Sequence, residues 1–302
     1  MSTTVPGPIA VVAHYNLLER LEPAGPGELF RARDTKLGRT VAVRLLPADF
    51  GAPDTRDEFI ANARGLAALS HPNVTTVFEV GEHEGRVYLV FEFLKGQSLR
   101  SEMGGRPLNV RRAMDVAIQM ADAVADAHAC GYVHGGLSPE SVVITAKGNA
   151  KIPAFALASR DGFASPSGER LHDYDAPEEA RGLASDERSD IYSVGAVLFE
   201  MLTGKRPLHR GAAAPSATNV HVPSELDEVV LKAIAPNPDS RYQSAATFAA
   251  ELRSVGAILD IRPSIGDELD AEPHSSNMGR ILFMTIVILL GIAAVVWWFS
   301  RT

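Results

Sequence analysis

Only one cysteine, Cys130, occurs in 302 residues. A single thiol excludes an internal disulfide framework and any multi-cysteine metal site, and the role expected of it is that of a small buried apolar residue. Positive charge is also short: 29 Lys and Arg stand against 37 Asp and Glu, a net charge of −8. A dedicated nucleic-acid binder needs a basic field, so that class is excluded. The opening Met1-Ser2-Thr3-Thr4-Val5-Pro6 has no basic segment followed by an apolar run, and no secretory leader is expected. Long hydrophobic runs are missing from most of the chain, and then one appears. Residues 281–300 contain no charge, a length that at helical rise crosses about 30 Å of hydrocarbon. Trp297 and Trp298 fall at its far end, as interfacial aromatics do.

What is present is a core-forming composition, 46% hydrophobic, enough for one large domain or two lobes. Residues 1–14 are small and contain proline and glycine, and read as a loosely held N-terminus. From Tyr15 to Asp34 the chain reads as two strands joined by the Gly/Pro turn Pro23-Ala24-Gly25-Pro26-Gly27. A second turn at Leu37-Gly38-Arg39 leads into the β-branched strand Thr40-Val41-Ala42-Val43-Arg44. A helix is expected over 56–69, strands over 74–80 and 86–94, and helices over 99–102 and 111–130. In the last of these Ala113, Val116, Ala117, Met120, Ala121, Val124 and Ala127 recur at helical spacing, a core stripe. The stretch Tyr132-Val133-His134-Gly135-Gly136-Leu137-Ser138-Pro139-Glu140-Ser141 is a loop, closed by the short strand Val142-Val143-Ile144-Thr145.

That loop resembles the catalytic loop of protein kinases, H-R-D-L-K-P-E-N, through His134, Leu137, Pro139 and Glu140. Other segments extend the resemblance. Val41-Ala42-Val43-Arg44 lies on V-A-I-K, and Phe91-Glu92-Phe93 on the gatekeeper and hinge. Asp175-Ala176-Pro177-Glu178 carries A-P-E. Residues 186–204 match the central C-lobe helix of bacterial serine/threonine kinases, and Arg241 follows in the motif whose arginine pairs with the A-P-E glutamate. The resemblance covers 15–257. It implies an α+β, bilobal kinase-like fold with an N-lobe over 15–94 and a C-lobe over 95–257; beyond it, acidic loop-like composition reads as a linker over 258–280 and the uncharged run as a membrane helix over 281–300. A buried Glu178–Arg241 ion pair is expected. His134 and Phe155 are expected in the internal hydrophobic column, Ala42 and Val143 around an adenine slot, and Asp190 beneath the catalytic loop.

The departures from the family pattern share a direction. The positions of the arginine, the catalytic aspartate, the lysine and the metal-binding asparagine hold Gly135, Gly136, Ser138 and Ser141. Ala154 replaces the magnesium-binding aspartate ahead of Phe155. In the glycine loop only Gly25 and Gly27 remain; Glu22 adds a carboxylate, and Pro23 and Pro26 each remove an amide donor, so an ordinary hairpin turn is the better reading. Arg44 stands in for the phosphate-holding lysine, and Asn62 for its glutamate partner. Two roles for Arg44 stay open, a surface arginine and a residual phosphate contact. Asp161 reads as a solvated loop residue, and Glu140 as no substitute base. Loss is confined to phosphate, metal and proton chemistry, whereas random decay would also damage packing.

The expectation is a catalytically inactive pseudokinase: a signalling scaffold or regulator with no cofactor and no magnesium, binding a protein partner such as an active kinase. Its place is the inner cell membrane, single-pass, with the domain kept cytoplasmic by the missing leader. The alternatives are a divergent active serine/threonine kinase and an ATP sensor without catalysis.

Overall fold

The computed structural model describes residues 8–21, 27–50, 53–153, 173–207 and 212–261. By internal contacts the chain divides into a unit of Met1–Ala257 and a second of Ile258–Thr302. The first begins with strands β1 (Ala10–Val12), β2 (Tyr15–Leu21), β3 (Glu28–Asp34) and β4 (Thr40–Leu45). Helix α1 (Pro53–Leu66) follows, then β5 (Val77–His83) and β6 (Arg86–Glu92). These strands form one antiparallel sheet in the order β1-β2-β3-β4-β6-β5.

Alternation in the strands decides which side chains go inside. Val12, Tyr15, Leu17, Phe30, Ala32, Val41, Val43, Leu45, Tyr88 and Val90 share one face and form the lobe's core. The far edge of the sheet is drawn to its beginning by Glu79 on β5. That carboxylate accepts the hydroxyl hydrogen bonds of Tyr15 on β2 (2.7 Å) and Tyr88 on β6 (2.6 Å). Burial pushes Glu79 up, but the two phenols outweigh it and hold its carboxyl below the usual range, while the Tyr88 phenol is pushed up to about 12 by burial and by the carboxylate.

Strand β1 corrects the expectation of a loose segment over 1–14. Val12 is 4% exposed in the core, and Ala10, Val11 and Val12 pair with Leu17, Asn16 and Tyr15. A β-branched pair beside a two-residue turn was enough to extend the sheet.

The C-terminal lobe starts with β7 (Gly96–Ser98), α2 (Leu99–Met103) and α3 (Val110–Ala129). Strands β8 (Val143–Thr145) and β9 (Ala150–Lys151) complete a small sheet in the order β7-β8-β9. Asn109 caps α3 by accepting the amides of Arg111 and Arg112. The expected stripe on α3 is fully buried, Ala113, Val116, Ala117, Met120, Ala121, Val124 and Ala127 all at 0% exposure.

After α4 (Pro177–Ala180) comes the central helix α5 (Glu187–Thr203), capped by the Asp186 carboxylate and buried continuously from Ser189 to Thr203. Helices α6 (Pro215–Thr218) and α7 (Glu225–Ala233) pack on it, and α8 (Ala245–Ile261) follows in the chain. Helix α8 runs past 257 to Ile261, into the stretch expected as linker; the apolar Ile258, Leu259 and Ile261 continue a helix that has met no breaker. Cys130 is exposed, which corrects its expected burial. It is the C-cap of α3, its amide donating to the Ala127 and His128 carbonyls, where the chain has already left the buried face.

Among the described residues no helix is long and apolar enough to cross a membrane. The expected span over 281–300 lies outside the described residues.

Candidate functional site

The loop expected at the centre of function is suspended from helix α5. Asp190, at 0% exposure, accepts the backbone amides of His134 and Gly135, both at 2.8 Å, and contacts His128 Nε2 at 2.8 Å. His128 was not singled out from the sequence; it lies on the buried stripe of α3, and only the fold brings it to Asp190. His134 is buried with Nε2 3.3 Å from the Pro153 carbonyl, and burial holds its imidazolium form down against the attraction of Asp190. Gly135 takes φ +65°, a left-handed conformation that suits glycine and strains an arginine at this position.

Past Leu137 the loop closes on itself. Ser141 Oγ donates to the Ser138 carbonyl (2.9 Å) and accepts the Ser138 amide (3.0 Å). The hydroxyl that stands in for the metal-binding amide is thereby committed to a turn. Glu140 is held by Arg100 of α2, Nε to Oε1 at 2.7 Å. Partial burial raises the Glu140 carboxyl, but the hydrogen bond and charge of Arg100 outweigh it and keep it below the usual range. A carboxylate held below its usual range is a weaker general base than a free one.

Arg100 is itself the middle of a cluster. It donates to Glu200 on α5 at 2.8 Å and to the Tyr174 hydroxyl, which donates in turn to Glu200. Its guanidinium is raised by these partners against the effect of burial. Sequence reading missed it because nothing local distinguishes this arginine from a solvated one.

The N-terminal side of the cleft is a face of the sheet. Ala42 on β4 stands opposite Phe91 on β6, and Arg44, two residues on, stands between Leu29 and Leu89. Ala42 and Phe91 are buried at 9% and 6%, and Val143 on β8 is partly buried. Arg44 is 7% exposed, which overturns the surface reading, and burial pulls its guanidinium down to about 10. It sits on an interior strand that is covered on both faces, so alternation gave no warning. Asn62 is partly buried on α1 and carries no charge to offer.

Gly27, at φ +85°, has a packing reason to be glycine. A Cβ there would lie 2.4 Å from the Leu45 carbonyl oxygen, so the turn presses on the β4 backbone. Gly25, Ala154, Phe155 and Asp161 lie outside the described residues. Glu178 and Arg241 meet as a bidentate pair at 2.6 and 2.7 Å, with Arg241 also donating to the Ala235 and Arg188 carbonyls. Among the described residues no group of three or more His, Cys, Asp or Glu side chains is arranged to hold a metal.

A profile for the protein kinase domain matches residues 17–255. The chain belongs to the protein kinase domain family. Curated relatives include the serine/threonine-protein kinase PknB of Mycobacterium tuberculosis (strain ATCC 25177 / H37Ra), 34% identical over 79% of this chain and 42% of its own length. The serine/threonine-protein kinase PrkC of Bacillus subtilis (strain 168) is 30% identical over 81% of this chain and 41% of its own. The chain thus spans about two-fifths of the length of these relatives. Among solved structures the M. tuberculosis PknI kinase domain superposes with a TM-score of 0.67 at 23% identity, covering 81% of this chain and 97% of that one. At that identity the likeness speaks for the bilobal kinase fold alone.

Within this kinase domain, magnesium needs hard oxygen ligands in octahedral array, and a bound triphosphate needs that metal. The catalytic loop supplies glycine at 136 and a hydroxyl already used within its own turn at 141.

Proposed function

We propose that this kinase domain is a pseudokinase, tethered to a membrane by 281–300 and acting as a binding or regulatory module for a signalling protein. The observation that carries the reading is the state of the catalytic loop: Ser141 turned inward on Ser138, and the loop's own carboxylate, Glu140, paired with Arg100. The anchoring of that loop by Asp190 is intact, so the loop keeps its packing role without its chemistry. A carboxylate base contributes about 10²–10⁴-fold to such a reaction, and loss of the metal ligands removes more, without simple multiplication. The uncharged run 281–300 supports the tether, and the exposed lone thiol of Cys130 suits the reducing, cytoplasmic side.

The test is purified full chain in detergent, with and without Mg-ATP. No shift of the melting temperature and no radiolabel transfer to itself or to a general protein substrate is the expected result; either signal overturns the proposal. A second reading, a divergent active serine/threonine kinase, is favoured by the 34% identity to a curated serine/threonine kinase. The same transfer assay separates the two.

A further inference from the structure

Strand β1 lies at the end of the large sheet and is joined to β2 by two residues, Ala13 and His14. Ala13 takes φ +51°, a left-handed conformation that strains a residue carrying a Cβ, and short hairpins usually place glycine, asparagine or aspartate at such a position. Among the described residues Glu84 is the one other non-glycine residue at positive φ. The β2 side of the turn is fixed, because the His14 carbonyl accepts both the Thr35 amide (3.1 Å) and the Thr35 hydroxyl (2.7 Å). The place where this turn can open is therefore Ala13.

The register makes that opening symmetric. Ala10, Val11 and Val12 pair with Leu17, Asn16 and Tyr15, and all three pairs are centred on one point, midway between Ala13 and His14. With the turn straightened, residues 10–17 of one copy lie antiparallel on 10–17 of a second, with every one of these pairs kept. The centre becomes a two-fold axis. Ala13 then faces His14 of the other copy and takes ordinary extended backbone in place of the left-handed conformation. Val12, a member of the lobe's core, stays beside a Tyr15, now that of the other copy. Nothing on β1 guards against such pairing: residues 9–13 carry no charge, and Ile9 and Val11 are 63% and 51% exposed.

We propose that two copies of this chain associate by exchanging β1, each strand completing the sheet of the other. The partner is a second copy because the surface offered and the surface required are the same strand pair, read from its two ends. A short strained hinge is the feature that drives such an exchange: the closed turn strains Ala13, and the exchanged form removes that strain while keeping the pairs of the monomer. The two sheets join edge to edge, and β1 ceases to be a free edge. The inference is independent of whether phosphotransfer is retained, since no residue of the catalytic loop takes part.

The test is the mass of the full chain in detergent, measured by light scattering after size exclusion over a range of concentrations. A monomer–dimer mixture is expected for the native chain. Ala13→Gly relaxes the closed turn and is expected to weaken the dimer on the order of tenfold, whereas Ala13→Val strains the turn further and is expected to strengthen it. Val11→Cys with Asn16→Cys, in a Cys130→Ala background, tells exchange from association through any other surface. These two positions face each other across the β1–β2 pair, close enough for a disulfide. With β1 exchanged, the bond links two chains, and the dimer fraction is expected to run as a covalent dimer on a non-reducing gel. A dimer fraction whose disulfides close within each chain overturns the proposal. So does a chain that stays monomeric at every concentration with Ala13→Val as well as without it. Should Ala13→Val fail to fold, the native chain, Ala13→Gly and the cysteine pair still decide.

Discussion

Glu178 and Arg241 stand 63 positions apart in sequence and meet in the interior with their side chains at 11% and 0% exposure. Burial pushes the Glu178 carboxyl up, but the guanidinium outweighs it and holds it below the usual range. Removing one member of such a pair leaves a buried charge without its partner, so Glu178→Ala is expected to destabilise the domain by about 3–5 kcal/mol in urea titrations. A loss under 1 kcal/mol would mean that the pair is solvated in the folded chain. His134 gives a second residue-level expectation. Its folded pKa is lowered from the ordinary 6.5, so as pH falls the unfolded chain takes up the proton first. The stability that neutral His134 contributes is complete above about pH 6.5 and is lost as pH falls towards its lower folded-state value. Urea midpoints measured from pH 8 to 5 are expected to fall more steeply in the native chain than in His134→Phe; parallel profiles would contradict this.

At the scale of elements, the sheet of the N-terminal lobe depends on a carboxylate that belongs to neither of the strands it joins. Tyr15 and Tyr88 both donate to Glu79, and each hydrogen bond to a charged acceptor contributes about 1.5–3 kcal/mol. Tyr15→Phe and Tyr88→Phe are each expected to lower stability within that range. The double variant is expected to lose less than the sum, because Glu79 freed of both phenols can turn to water; strict additivity would show that the two bonds act separately. Elements of this kind explain what could be read before the fold was known. Helix α5 was legible because Asp186, the apolar run and Gly204 mark its ends and its burial within one stretch of sequence. The catalytic loop was legible through His134, Leu137 and Pro139. Arg100 and His128 were not, since each acquires its role from a partner 40 to 62 positions away. Cys130 was misread, and one of the two roles left open for Arg44 fell, for a related reason: exposure is set by what covers a strand or where a helix ends, and neither is written in the residue itself.

On the proposed reading the molecule combines a kinase scaffold with a site that lacks its acidic chemistry, and the two can be separated experimentally. Deleting 281–302 is expected to move the chain from the membrane pellet to the soluble fraction with its melting temperature unchanged, because the compact unit ends at Ala257. Continued pelleting would mean that another surface holds the membrane. The converse experiment restores chemistry to the scaffold. Asp190 still suspends the loop from α5, so a carboxylate returned at 136 enters a loop already held in place. Gly136→Asp combined with Ala154→Asp is therefore expected to confer magnesium-dependent ATP binding, detected by calorimetry and abolished by chelator. Phosphotransfer is expected to stay at background, since Arg44 and Asn62 still lack the lysine–glutamate arrangement and Ser141 remains folded onto Ser138. If the doubly substituted chain binds no nucleotide, the adenine slot expected around Ala42 and Val143 is closed as well, and the departure from the family extends beyond the metal and proton positions to the pocket. If it transfers phosphate, the remaining substitutions are tolerated, and two carboxylates alone separate this chain from an active kinase.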